Sequence, residues 1–207
     1  MILWGRPSSV NVQKVLWALD EFGLPFDHRV VGGRHGGLDD PAFRALAPVA
    51  KVPVLEDAGQ GVWESHAILR HLARRHPGHA LSATLATADP WMEFGTSTFM
   101  PPFIGLFYQR VRLYPEERSA ARAEALERDL AAILSVMDEG LSATGWLSGP
   151  AFGLADIALG TPMYRLFDIA PGLAPGAAHL RDWRARLARR PGWQRWIATD
   201  YSELRPV

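Results

Sequence analysis

Strand-like patterns in this chain end at Trp63, and everything after that residue is patterned for helix. This asymmetry limits the architecture more than any composition figure does. "ILW" (Ile2 to Trp4) is a short apolar run stopped by Gly-Arg-Pro. Val12, Val15, Leu16, Leu19 and Phe22 then recur at steps of three and four, which predicts a helix with one buried face. Gly23 and Pro25 are placed to end it. "FDHRVV" (Phe26 to Val31) returns to a strand pattern, so the chain opens β-α-β. A crossover of this size makes the two strands parallel, with a right-handed connection.

The next stretch turns the sheet mixed. "GGRHGG" reads as a loop, and "DDPAFRALAP" as a short helix with Asp39 or Asp40 as cap and Pro41 in its first turn. "VPVLED" and "GVW" are strands joined only by "AGQ", a connection short enough to require an antiparallel hairpin. "ESHAILRHLARRH" is a helix. Beyond it lies a linker over residues 78–88, then helix-length segments, the longest being "PEERSAARAEALERDLAAILSVMDEGL". Pro101-Pro102 predicts a kink or break. The expected organisation is an α/β domain over 1–77, the linker 78–88, and an all-α domain over 89–207.

Composition narrows the function classes. Twenty-two Lys and Arg balance twenty-two Asp and Glu, so no net field draws the chain to nucleic acid. "RARLARR" alternates with apolar residues at helical spacing and reads as a solvated helix face. No run approaches the ~18 apolar residues of a membrane span. "MILWGRPSSV" has no charged start followed by a long apolar core, so a soluble, cytoplasmic protein is expected. There is no cysteine, which removes disulfides, thiolate metal sites and a cysteine nucleophile. Seven histidines show no metal-ligand spacing, and no metal is expected.

Three short stretches are candidates for chemistry. Pro53 stands where a strand begins, as an edge proline or as a cis bond that leaves the Val52 backbone free to pair with an extended ligand. Glu64-Ser65 lies between a strand and a helix. Ser65 there is either a plain cap or half of a zwitterion clamp, with Glu64 taking an ammonium group and the helix terminus taking a carboxylate. "RPSSVNVQKV" puts Ser8, Ser9 and Asn11 immediately before or at the start of the first helix, as caps or as hydrogen-bond donors to a ligand.

The order βαβαββα, with "KVPVLED", "WESHAILRHLARR" and an all-helical second half, resembles the cytosolic glutathione S-transferases over essentially the whole chain. The tail "RRPGWQRW" and "GPAFGLADIALG" are similar to that family's C-terminal helices. The resemblance implies a thioredoxin-like N-terminal domain and an all-α C-terminal domain, with glutathione as cosubstrate, a small apolar electrophile and a homodimer. It implies a cis Pro53, with the Val52 backbone on the cysteinyl part of glutathione. It implies Glu64 and Ser65 at the γ-glutamyl end and Lys51 at the glycine carboxylate, where His35 is a second candidate. The alternatives on the same scaffold are a glutathione-dependent disulfide reductase and a binding protein without turnover.

Glutathione brings its own thiol, which answers the missing cysteine. The position that donates to the sulfur in the serine-type classes of the family falls on Ser9, with Ser8 one register away. Asn11 matches a position where some bacterial members place a second donor. Trp4 stands where tyrosine-type classes carry their tyrosine, and an indole donates but does not titrate usefully. Met100, Phe103 and Phe107 are either ordinary core or the wall of the electrophile site. One departure is "GLAD": Gly153 replaces the Ser or Thr that usually caps a buried helix there, leaving Asp156 to accept backbone N–H groups.

Overall fold

Ile2–Trp4 forms the first strand (β1), and Val10–Glu21 the first helix (α1). The computed structural model describes residues 1–206. Ser9 caps α1 in extended conformation, its hydroxyl accepting the Val12 N–H at 3.5 Å. The helix closes on Gly23 at φ +66°, where the Gly23 and Leu24 N–H groups bond the Asp20 and Leu19 carbonyls. This satisfies orphan carbonyls and needs a residue free to be left-handed. Asp27–Arg29 (β2) then pairs parallel with β1, Ile2 opposite Asp27 and Trp4 opposite Arg29.

A short helix, Pro41–Leu46 (α2), follows a 3₁₀ turn over Gly33–His35, with Asp40 accepting the Ala42 N–H at 2.8 Å. Val54–Asp57 (β3) and Gln60–Trp63 (β4) form the expected hairpin, and the sheet order is β2-β1-β3-β4. β3 runs antiparallel to β1, with Val54 opposite both Trp4 and Trp63. Ser65–Arg75 (α3) completes this half.

The remainder is helical, as its patterning predicted. The stretch read as a linker carries a helical turn, Ala80–Ala83 (α4), and the start of Leu85–Phe94 (α5). His79 and Thr84 give that turn its boundaries, through the Leu81 N–H on His79 Nδ1 and the Thr84 hydroxyl on the Leu81 carbonyl. Pro101-Pro102 does not break the next helix. A π turn over Gly95–Phe99 leads directly into Met100–Phe107 (α6), widening the helix where two prolines remove donors. A second π turn, Tyr108–Arg112, ends that run.

Ala120–Ser142 (α7) starts later than its charge pattern suggests, because the Ser119 hydroxyl caps it by accepting the Arg122 N–H at 3.2 Å. Leu154–Gly160 (α8), Met163–Ile169 (α9) and Ala178–Ala188 (α10) follow, and a π turn spans Trp193–Ile197.

The expectation of a single buried face on α1 is overturned. Every residue from Val12 to Leu19 is buried. α1 packs on α3 from its own half, and on α8 and the Trp193–Ile197 turn from the helical half. Trp17 points into the helical half, where a side chain at Gly192 would come within 2.4 Å of its ring and one at Gly160 within 3.5 Å. Trp17 packs edge-on against Trp193 and donates its indole N–H to Glu21 at 2.8 Å. Glu21 in turn holds Arg190 through paired bonds of 2.7 and 2.5 Å. The two halves therefore share α1 as a common wall.

Candidate functional site

The register of the sheet brings three loops to one edge. β1 ends at Trp4, β3 begins opposite it at Val54, and β4 ends opposite Val54 at Trp63. The segments that adjoin these ends are Gly5 to Ser9, Val52-Pro53 and Glu64-Ser65. Close approach confirms the grouping, since a side chain at Gly5 would meet Val12 at 2.4 Å and Val52 at 3.2 Å. The Val52–Pro53 bond is cis, the second of the two readings of that proline. Lys51 is exposed immediately before it.

Ser9 holds α1 with an oxygen lone pair, so its hydroxyl proton remains free to donate elsewhere. Asn11 lines a cavity of 340 Å³ together with Glu64, Ser65 and Met100. Ser9 instead faces a smaller neighbouring cavity walled by Phe103 and Phe107. Ser8 is buried, and its hydroxyl has no hydrogen-bond partner among the described residues. Trp4 is committed elsewhere, its indole N–H donating to Glu56 at 3.2 Å.

Ser65 is not the cap of α3. It is the first helical residue, and Glu64 occupies the cap position at φ +69° without a side-chain bond to the helix. A β-carbon residue held in the left-handed region is strained by about 1–3 kcal/mol, and such strain concentrates where a side chain must be aimed. The result is an exposed Glu64 carboxylate and an uncapped helix terminus side by side. His35 is exposed in its 3₁₀ turn and lines a different cavity, of 610 Å³, with Pro7, Ser8 and Arg34.

Two features of the site have no counterpart in the sequence reading. Lys14, 1% exposed, lies on the far side of the Asn11 cavity with its Nζ 3.2 Å from His66 Nε2. His66 Nδ1 meets the Thr96 hydroxyl at 2.9 Å, which carries the chain of polar contacts into the helical half. Burial pulls Lys14 down to about 7, against an opposing pull from Glu64. Burial, then Lys14, holds His66 far below its ordinary range. A lysine inside an apolar helical stripe was the available signal. Arg165 is the second feature. Its Nη2 donates to the Ser8 carbonyl and to Gln13 Oε1, each at 2.9 Å, so α9 fixes the segment leading into α1. The 152 residues between Arg165 and Gln13 leave no local pattern to read.

Comparison with known proteins identifies this arrangement. The glutathione S-transferase N-terminal domain model matches residues 3–80, and the C-terminal domain model matches 87–191. The chain is 35% identical to Glutathione S-transferase GstB of Escherichia coli K12, covering 97% of this chain and 99% of that one.

The chain belongs to the glutathione S-transferase family.

Other family members agree. Glutathione S-transferase 3 of Zea mays is 31% identical over 95% of this chain and 92% of its own. The theta class glutathione S-transferase of Xanthomonas axonopodis pv. citri, solved with glutathione bound, superposes with a TM-score of 0.88. It shares 39% identity, covering 97% of this chain and 98% of that one. The match runs through both halves, so the thioredoxin-like domain with its mixed four-stranded sheet and the helical domain are those of a glutathione S-transferase.

Proposed function

We propose that the protein is a glutathione transferase that binds glutathione at the sheet edge, favours its thiolate, and directs it at a small electrophile. The observation that carries the reading is that Asn11, Glu64 and Ser65, from the starts of two helices, line one cavity. In this reading the Glu64 carboxylate takes the γ-glutamyl ammonium. Ser65 and the free N–H groups of α3 take the adjacent carboxylate. The Val52 backbone, ahead of Pro53, pairs with the cysteinyl unit. Lys51 attracts the glycine carboxylate, whereas His35 lies on a different cavity.

The sulfur then lies near the N-terminus of α1. A free thiol has pKa about 8.5, so only a small fraction is thiolate at neutral pH. Lowering it by one to two units requires about 1.4 to 2.7 kcal/mol of preference for the anion. A Ser9 O–H donor, an Asn11 amide donor and the positive end of a twelve-residue helix supply an effect of that size. Catalysis on this account is thiolate stabilisation and positioning.

We also propose a homodimer located in the cytoplasm. Support comes from the family and from Trp63, which is 38% exposed beside Glu64. No described helix is long and apolar enough to cross a membrane. Sedimentation equilibrium tests the dimer. The function is tested by calorimetry with glutathione, then by assays of conjugation and of disulfide reduction in parallel. Binding with conjugation supports the transferase. Turnover confined to disulfides points to a reductase, and binding with neither activity to a ligand-binding protein.

A further inference from the structure

A cavity of 180 Å³ opens beside Ser9 and Val10, where the two halves meet, and Phe103 and Phe107 form its apolar wall. Its polar lining is one-sided. Arg6, Arg112 and Arg165 all reach it, and no aspartate or glutamate does. The chain as a whole has zero formal net charge, so this is a local concentration and not the edge of a basic protein.

None of the three arginines forms an ion pair among the described residues, although Glu203 acts on Arg6 from a distance. Arg165 is 3% exposed and gives its two Nη2 bonds to neutral oxygens of Ser8 and Gln13. Its Nε, the Arg6 Nε and the Ser8 hydroxyl are buried without a hydrogen-bond partner among the described residues. Arg112 lies 5.6 Å from the centre of the Tyr108 ring. The carboxylates in this region are engaged: Glu203 pairs with Arg34 at 2.9 Å, and Asp168 accepts from the Tyr201 hydroxyl. Burial, followed by the charge of Arg112, lowers Arg6. Burial lowers Arg165 to about 10, with Tyr201 opposing and Arg112 and Arg6 acting in the same direction as burial, so Arg165 stays cationic at neutral pH. Arg165 is buried and Arg6 and Arg112 are half-buried, and like charges held together out of water are costly unless an anion completes them.

We propose that this cavity selects electrophiles whose apolar body carries a carboxylate, with Arg6, Arg112 and Arg165 as its counter-charge and Phe103 and Phe107 against its body. The inference rests on the transferase reading above and names the class of its second substrate. In the reaction the glutathione sulfur forms a bond to the substrate carbon that bears the leaving group. The carbon–halogen bond breaks and the halide departs with the bonding pair. The thiol proton passes to solvent, and the carboxylate is unchanged. Its role is to orient the reacting carbon toward Ser9.

The test compares 4-chloro-3-nitrobenzoate with 4-chloro-3-nitrobenzamide, which share the reacting carbon and differ in charge. After division by the uncatalysed rates, kcat/KM is expected to favour the benzoate by about tenfold, the worth of one charge-assisted hydrogen bond. That ratio is expected to fall about tenfold in Arg112→Gln and to recover in part in Arg112→Lys. A ratio near one, or a ratio unmoved by Arg112→Gln, overturns the proposal. Direct titration of tryptophan fluorescence with the benzoate, without glutathione, provides a reading independent of turnover. Binding that weakens about tenfold in Arg112→Gln supports the site, and absent or unaltered binding overturns it. Failure of the transferase reading is separately visible as no calorimetric glutathione binding and no turnover of either arene, and the titration still decides the cavity's preference.

Discussion

Thr84 fills the space that a side chain at Gly153 would need. A Cβ at Gly153 would lie 2.3 Å from Thr84 Oγ1, and that same oxygen accepts the Leu154 N–H at 3.2 Å. The hydroxyl missing from "GLAD" is thus supplied by the junction between α4 and α5, seventy residues away in sequence. The Ser148 hydroxyl adds a second bond, to the Ala155 N–H at 3.0 Å. Gly153→Ser, which restores the family's usual cap, is therefore expected to destabilise this protein by about 1–3 kcal/mol through overpacking. The double variant Thr84→Ala with Gly153→Ser is expected to recover part of that loss, since the Ser148 Cβ still lies 2.6 Å from the new side chain. Urea unfolding of the two singles and the double measures the coupling, and additive effects would refute the exchange.

Asp156 sits under the same helix at 0% exposure. It accepts the N–H groups of Leu147, Ser148 and Gly153, and the Trp183 indole at 2.7 Å. Burial raises its pKa, while these donors pull the other way. Asp156→Ala strands several buried donors at once and is expected to cost about 3–5 kcal/mol, against a smaller loss for Asp156→Asn. Equal midpoints for the two variants in urea would contradict this, showing that one retained acceptor oxygen recovers nothing.

The thiol assignment predicts a shift in pH profile. Ser9→Ala with Asn11→Ala is expected to raise the kinetic pKa of glutathione conjugation by about 1–2 units and to lower kcat/KM at pH 6.5 by about 10–100-fold. Ser8→Ala is expected to leave that pKa in place. A double variant with wild-type rate and profile removes Ser9 and Asn11 from the chemistry.

At the other end of the ligand, Glu64→Gln keeps the shape and loses the charge. The glutathione KM is expected to rise about tenfold or more with little change in kcat, since the interaction is made equally in ground and transition states. A fall in kcat at unchanged KM contradicts the clamp.

Lys14 makes stability depend on pH in an unusual direction. Its folded pKa, about 7, lies below its unfolded value, so the unfolded chain binds more protons between about pH 7 and the ordinary lysine range. Stability therefore rises with pH across that window, by about 2 kcal/mol between pH 7 and 9. Lys14→Met is expected to abolish this rise relative to wild type. Urea midpoints at the two pH values, with the wild-type slope surviving in the variant, would disprove it.

The fold was legible because its signals are local. The Gly23 stop, the Asp40 and Ser9 caps and the short hairpin link, Ala58-Gly59 in the structure, each act within a few positions of the residues they order. The candidate glutathione residues were nameable for the same reason, since they stand at element ends. Of the two readings of Ser65, cap or half of a clamp, the letters "WESH" do not decide, because nothing in them reveals the left-handed turn at Glu64. Lys14 and Arg165 stayed hidden because their meaning depends on partners 52 and 152 residues away. The full burial of α1 was likewise invisible, since one of its faces is covered by chain that comes much later.

The seat of Trp17 against Gly192 bears on how such proteins can be recombined. The helix that carries Ser9 and Asn11 is cut to fit a notch in the opposite half, so the boundary near residue 80 is not a seam along which modules exchange freely. A hybrid that joins this N-terminal half to a relative's helices must bring glycine at the position facing the Trp17 ring, as Gly192 does here, or a smaller ring at 17. Without either, the misfit acts on the same helix that presents the thiol donors, and a graft intended to change the second substrate would also disturb the first.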